Sequence, residues 1–345
     1  MIRLIRILLF PISILYAVAM WLRNRLYDHD IIKSTAFGFP VVVIGNLAVG
    51  GTGKSPMAEY ILRLISPKKD IALLSRGYGR KTKGFREVSI KDTADLVGDE
   101  PLQIKRKFSQ VQVYVCEDRV QALRKISGGT PGVLLDDAYQ HRPLRPSFSV
   151  LLFDYKSLLS PIVPLPTGNF RDRLIESKRA GVIVVTKCPN NLSQEIRFTI
   201  QSRLRKHSSA PIYFSSIDYE HLKNKDQQTI TPTALGNYHV ILFTGIANPK
   251  PLLDYLRPNS LELTHINFKD HHAFSSTDIQ VISDAFHTVS NESKIIVTTE
   301  KDYQRLPSSF AQTYPIYIVP IHQKILFGEQ DAFDSIIKRA FQVVN

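Results

Sequence analysis

Between Val41 and Ile65 the chain reads as a strand, a glycine-rich turn and a helix in immediate succession. Val41-Val42-Val43-Ile44 is a β-branched run ending at Gly45, and Met57, Tyr60, Ile61, Leu64 and Ile65 then fall at helical spacing. Between them, Asn46 to Ser55 (NLAVGGTGKS) form a loop whose bare backbone N–H groups can wrap phosphate oxygens at a helix N-terminus. Ala48, Val49, Gly50, Gly51, Thr52, Gly53, Lys54 and Ser55 are therefore the expected nucleotide-binding residues. Lys54 would reach the β- and γ-phosphates, and the Ser55 hydroxyl would bind Mg²⁺. The pattern G-x-x-x-x-G-K-[ST] normally opens on glycine, and that position is Ala48 here. Gly50, Gly51 and Gly53 compensate inside the loop.

Further short apolar runs follow: Ile71 to Leu74, Val111 to Val115, Val133 to Leu135, Val150 to Phe153 and Val182 to Val185. Helix-length or loop-rich spacers separate them, which predicts an α/β fold of the P-loop NTPase type, a mostly parallel sheet with helices on both faces. A second series starts after His239, with helices through Leu252 to Leu256 and around Ile279 to Phe286, and predicts a smaller α/β domain. Two domains suit 345 residues, since single cores stop growing near ~250–300. Pro211-Ile212-Tyr213-Phe214 and Pro315-Ile316-Tyr317-Ile318 read as a two-stranded linker running out to the second domain and back, with Glu220 to Pro232 as an exposed turn. The expected boundaries are a membrane-associated helix at 1–30, the P-loop domain at 31–235 and the smaller α/β domain at 236–312. A return strand and a C-terminal helix packing on the P-loop domain would occupy 313–345.

Residues Ile7 to Leu22 carry no charge and are bracketed by Arg3, Arg6, Arg23 and Arg25. The basic start, with Ala17-Val18-Ala19, imitates a secretory signal. A membrane span fits less well, because 16 helical residues rise only about 24 Å against a core of roughly 30 Å. A buried core helix is a further alternative. The short length, the basic flanks and the aromatics Tyr16 and Trp21 favour a helix seated in the headgroup region, with the bulk of the protein on the cytoplasmic side.

The 44 Lys and Arg residues outnumber 31 Asp and Glu, and a net charge of +13 calls for an anionic partner. Nucleic acid lacks supporting aromatic-interleaved basic motifs, so phosphorylated headgroups better explain the run Arg76 to Arg86. Cys116 and Cys188 read as reduced, buried thiols. In the segment Gly132 to His141, Asp136 and Asp137 end an apolar strand, where a carboxylate faces the phosphate loop and can hold Mg²⁺. Gly98-Asp99-Glu100-Pro101 either caps a helix or aims a carboxylate at the γ-phosphate. Phe268-Lys269-Asp270-His271-His272-Ala273-Phe274 offers one histidine for proton transfer or a solvated pair. No D-x-x-G follows Asp136, and Val185-Thr186-Lys187-Cys188-Pro189 lacks the later Asp that grips guanine, so ATP is the expected nucleotide.

Taken together, GNLAVGGTGKSP (45–56), SRGYGR (75–80), GDEP (98–101), LLDDAYQH (134–141), LPTGNFRD (165–172), FKDHHAF (268–274) and TTEKD (298–302) resemble the tetraacyldisaccharide 4'-kinases, in the family's order. Those enzymes phosphorylate the lipid A precursor of Gram-negative bacteria. The resemblance implies a membrane-associated P-loop kinase using ATP and Mg²⁺ on the 4'-hydroxyl of an acylated disaccharide 1-phosphate glycolipid. It would work at the cytoplasmic face of the inner membrane as a monomer, with no nucleic acid partner. Asp99 resembles the family's catalytic carboxylate, paired with His271, and Asp136 and Asp137 resemble its Mg²⁺-side acids. Tyr78, His141, Asn169 and Arg171 stand in motifs expected near the glycolipid headgroup. Ser55 replaces the usual Thr and Asp172 the usual Glu. A membrane-bound P-loop ATPase that switches partners is the competing reading. Deleting residues 1–25 is expected to weaken lipid use and spare ATP binding.

Overall fold

The computed structural model describes residues 8–126, 132–270 and 272–342. Its strands, in chain order, are β1 (Val41–Asn46), β2 (Ala72–Ser75), β3 (Arg86–Glu87), β4 (Gln112–Val115), β5 (Val133–Leu135), β6 (Phe148–Asp154), β7 (Val182–Thr186) and β8 (Ile212–Tyr219). They are followed by β9 (Leu222–Lys223), β10 (Thr229–Ile230), β11 (His239–Thr244), β12 (Glu262–Asn267), β13 (Lys294–Thr299), β14 (Ile316–Val319) and β15 (Ile321–Ile325). One nine-stranded sheet has the order β15-β8-β7-β6-β1-β5-β2-β4-β3, and a six-stranded sheet has the order β10-β9-β14-β13-β11-β12. From β8 to β4 the large sheet is parallel, while β3 pairs antiparallel at its edge.

The large sheet is buried on both sides at its centre, which is why β1, β5, β6 and β7 carry continuous apolar runs rather than alternating. Val41, Val43, Leu135, Leu151 and Ile183 pack into one layer. Their neighbours Val42, Ile44, Leu134, Leu152 and Val184 pack into the other. Helices Arg119–Ile126 and Gln194–Arg205 cover the first layer through Leu123, Ile200 and Leu204. Helices Lys54–Ile65, Asp99–Lys107 and Gln330–Gln342 cover the second through Met57, Ile61, Leu102, Phe333 and Phe341. Tyr60 locks the first and last of these helices together, its hydroxyl donating to Asp334 at 2.6 Å. Cys116 and Cys188 are free and buried, and burial pushes the Cys188 thiol up to about 12.

Two compact units emerge, Met1–Asp218 with His322–Asn345, and Tyr219–Ile321. The second therefore begins before residue 236 and ends after 312. The stretch 220–232, expected as an exposed turn, holds the β9–β10 hairpin, because Leu222 and Ile230 bury into the second core. The expected ribbon is also revised. β14 belongs to the second sheet, parallel to β13, and the strand beside β8 is β15. Their similar starting tripeptides have no pairing consequence.

The N-terminal helix, Phe10–Asp28, is inverted relative to a core helix. Its buried residues are polar, Ser13 at 1% and Asn24 at 2% exposure, while Phe10 at 51% and Leu15 at 70% face outward. The core-helix alternative is thereby excluded. The helix extends beyond Leu22 to Asp28, which pairs with Arg142 at 2.7 Å and Lys178 at 2.8 Å. Among the described residues, no helix is long and apolar enough to cross a membrane.

Candidate active site

The loop after β1 turns on Gly50 (φ 104°) and Gly53 (φ 79°), backbone conformations that side chains oppose. Gly53 precedes the helix Lys54–Ile65, and no side chain caps that helix start. Its first N–H groups are thus directed at whatever anion the loop holds. Asn46 steadies the loop from inside, its amide donating to Thr52 Oγ1 at 2.8 Å. Gly45 is required by packing rather than by φ, since a Cβ there would meet Tyr139 Cβ at 2.5 Å. The segment from Asp136 to His141 consequently lies directly on the end of β1, with Ala138 N–H donating to Ile44 O at 3.1 Å and the Gln140 amide donating to Asn46 O.

This contact brings the acids to the loop. Asp137, in a left-handed conformation (φ 49°), places Oδ1 3.6 Å from Lys54 Nζ and Oδ2 3.9 Å from Arg171 Nη1. Asp136 is buried beside it, its N–H donating to Leu74 O at 3.0 Å. Ser55 does not stand alone, because its hydroxyl donates to Glu100 Oε1 at 2.8 Å. Glu100 thus joins the candidate site, where the sequence had pointed to its neighbour Asp99. Asp99 is the first residue of the helix Asp99–Lys107, and Gly98 rather than Asp99 occupies the cap position. The capping alternative is thereby corrected. Gly98 (φ 90°) presses on the SRGYGR turn, where a Cβ would lie 3.0 Å from Tyr78 O, so the GDEP and SRGYGR segments are held backbone to backbone.

Arg119 is a second residue that the motifs did not flag. It is buried, donates from Nη1 to Glu117 O at 2.9 Å and from Nη2 to Asp137 O at 3.4 Å, and feels the charges of Arg76, Asp136 and Asp137. Burial, reinforced by Arg119, drives the His141 imidazole down to about 4. His141 is therefore neutral at pH 7. Tyr78 is 83% exposed and Asn169 is exposed as well. Asn169 O nevertheless accepts from Val49 N–H at 2.7 Å, and Arg171 N–H donates to Leu47 O at 2.7 Å, which lays the segment 165–172 along the phosphate loop. Asp172 is buried and gripped by Asn24, whose amide lies 3.1 and 3.0 Å from its two oxygens.

In the second unit, Asp302 is fully buried and accepts from Gly245 N–H at 3.0 Å and the Thr299 hydroxyl at 2.8 Å, tying the TTEKD segment to the turn after β11. His272 is engaged by Asp278 at 3.0 Å and stacks on Phe268. His271, the predicted partner of Asp99, lies outside the described residues.

A parallel sheet with an uncapped helix after its central strand, a lysine in that helix's first turn and two acids at the adjacent strand end define a P-loop phosphotransferase-type protein. The family model for tetraacyldisaccharide-1-P 4'-kinase matches residues 5–342, and the chain belongs to that family. It is 41% identical to the tetraacyldisaccharide 4'-kinase of Flavobacterium johnsoniae over 97% of each chain. With the enzyme of the same name from Bacteroides thetaiotaomicron it shares 38% identity, over 95% of this chain and 91% of the other. The fold matches a crystal structure of LpxK from Aquifex aeolicus in complex with ATP, with TM-score 0.76, 28% identity and coverage of 98% and 99%.

Proposed function

We propose that the protein transfers the γ-phosphate of ATP to the 4'-hydroxyl of a tetraacylated glucosamine disaccharide 1-phosphate. The observation that carries this reading is the convergence of Lys54, Arg171 and Asp137 at the uncapped helix start. Lys54 and the loop amides from Ala48 to Ser55 neutralise the phosphate chain. Asp136, Asp137 and the Ser55 hydroxyl are hard oxygen donors suited to Mg²⁺, which would draw charge from the phosphates when bound. Among the described residues no group of three or more His, Cys, Asp or Glu could hold a metal, so such a cation needs phosphate oxygens and water to complete its shell. Asp99 is the carboxylate for the acceptor hydroxyl's proton, with His271 as its partner.

Tyr78, His141, Asn169 and Arg171 are proposed to face the sugar headgroup. A neutral His141 can accept or donate a hydrogen bond there without a charge of its own. The apolar outer face of the first helix seats the protein on the cytoplasmic surface of the inner membrane, and the enzyme acts as a monomer. A groove of about 250 Å³ between that helix and Pro164 and Arg173, lined by Phe10, Ile14, Val18 and Trp21, is apolar enough to take part of an acyl chain.

The test is incubation of purified protein with Mg-ATP and a disaccharide 1-phosphate glycolipid, followed by mass analysis. One added phosphate, absent with Lys54→Ala, is the expected product. ATP hydrolysis with no change in the lipid would overturn the reading.

A further inference from the structure

The segment after β7 is not used by the chemistry above, yet it is built against the phosphate loop. In such a loop the N–H groups turn toward the anion, so the carbonyls of the same peptides turn away and need donors of their own. Three consecutive carbonyls have them. Lys187 Nζ donates to Gly51 O, the buried Thr186 hydroxyl lies 2.8 Å from Thr52 O, and the Gln323 amide lies 3.4 Å from Gly53 O. Lys187 has φ 57°, a left-handed conformation unusual for a residue with a side chain. That turn lets the side chain double back from the end of β7 to the loop. Asp154, at the end of β6, also lies 3.5 Å from the ammonium.

Position in the sheet gives this arrangement a direction. Asp136 and Asp137 follow β5, on one side of β1, whereas Asp154 and Lys187 stand at the ends of β6 and β7, on the other. A nucleotide whose γ-phosphate faces the acids runs its nucleoside toward the β6–β7 side of the crevice.

We propose that Lys187 is a positioning residue for the nucleotide: its ammonium fixes the Gly51 carbonyl so that the loop amides face phosphate, and its stem borders the nucleoside. The proposal rests on the reading that this loop binds ATP. Lys187→Ala removes both roles, and Lys187→Met keeps the stem while removing the ammonium. Both are compared with the parent by titration with a non-hydrolysable ATP analogue in a calorimeter and by steady-state kinetics. Lys187→Ala should raise KM for ATP and the analogue's Kd by about 10-fold or more, with KM for the glycolipid unchanged. Lys187→Met should fall between it and the parent, and Lys187→Arg should recover part of the loss. The thermal midpoint without nucleotide serves as the control, because a merely structural role would lower it and leave the analogue's Kd untouched. Parental nucleotide constants in Lys187→Ala would overturn the proposal. Lys54→Ala separates the two readings: if it too binds the analogue normally, the loop assignment fails, and if it alone loses binding, the fault lies with Lys187.

Discussion

Lys54 sits between the helix start and Asp137, and its side chain contributes little to the core. Lys54→Ala should therefore reduce kcat/KM by about 10²-fold or more while leaving the far-ultraviolet dichroism unchanged. On the proposed roles, Asp99→Ala and His271→Ala should each cut turnover by about 10²-fold, and a double variant that loses little beyond the worse single one is the result expected of residues acting as a unit. His272 is bonded to Asp278 and stacked on Phe268, so His272→Ala should act on stability more than on turnover. A near-normal His271→Ala with an inactive, folded His272→Ala would reverse that assignment. His141 makes a different prediction. Its folded pKa, about 4, lies below the ordinary 6.5, so burying it neutral contributes stability that is present above pH 6.5 and lost as pH falls toward 4. Urea midpoints measured from pH 7 to 4 should decline less steeply in His141→Gln than in the parent. Parallel curves would show that the imidazole titrates freely.

The first helix joins two tasks. Its outward residues, including Leu15 and Val18, form an exposed apolar band suited to lipid, and its inward polar residues hold the segment 165–172. Ser13 donates to Thr167 at 2.8 Å, Tyr16 to Arg171 O at 2.9 Å, and Asn24 to Asp172. That segment in turn bonds to Leu47 and Val49 of the phosphate loop. Deleting residues 1–25 should consequently weaken ATP-analogue binding as well as lipid use, which replaces the simpler expectation drawn from hydrophobicity. Asn24→Ala leaves a buried carboxylate short of a donor and should cost about 1–3 kcal/mol, read as a lowered urea midpoint. Ile12→Glu with Leu15→Glu alters only exposed residues that do not line the groove. It should abolish flotation with anionic vesicles and change stability by less than about 0.5 kcal/mol per site, as surface substitutions do.

The second unit is a single insertion, Tyr219–Ile321, whose flanking residues Asp218 and His322 lie 3.8 Å apart at their side chains. It has its own sheet and its own apolar clusters around Leu242 and Phe243. Replacing it with a short Gly-Ser connection should therefore leave a folded first unit that still binds an ATP analogue and no longer phosphorylates glycolipid. Calorimetric titration and the lipid mass assay check the two halves of that statement. Loss of analogue binding would mean that nucleotide affinity depends on the insertion.

The strand, glycine turn and open helix start were legible in the residues from 41 to 65, because strand periodicity, glycine freedom and helix spacing are local rules acting within a few positions. The doubly covered sheet was legible for the same reason, in the continuous apolar runs of its central strands. Other features depended on partners far apart in the chain. Glu100 meets Ser55 across 45 residues, Lys187 meets Gly51 across 136, Asn24 meets Asp172 across 148 and Gln323 meets Gly53 across 270. Single polar residues have no period to betray their direction, and the choice of β15 rather than β14 beside β8 rests on which sheet each strand completes. Backbone amides and apolar spacing announce themselves in sequence, whereas a lone carboxylate, amide or ammonium acquires its partner only when distant segments pack.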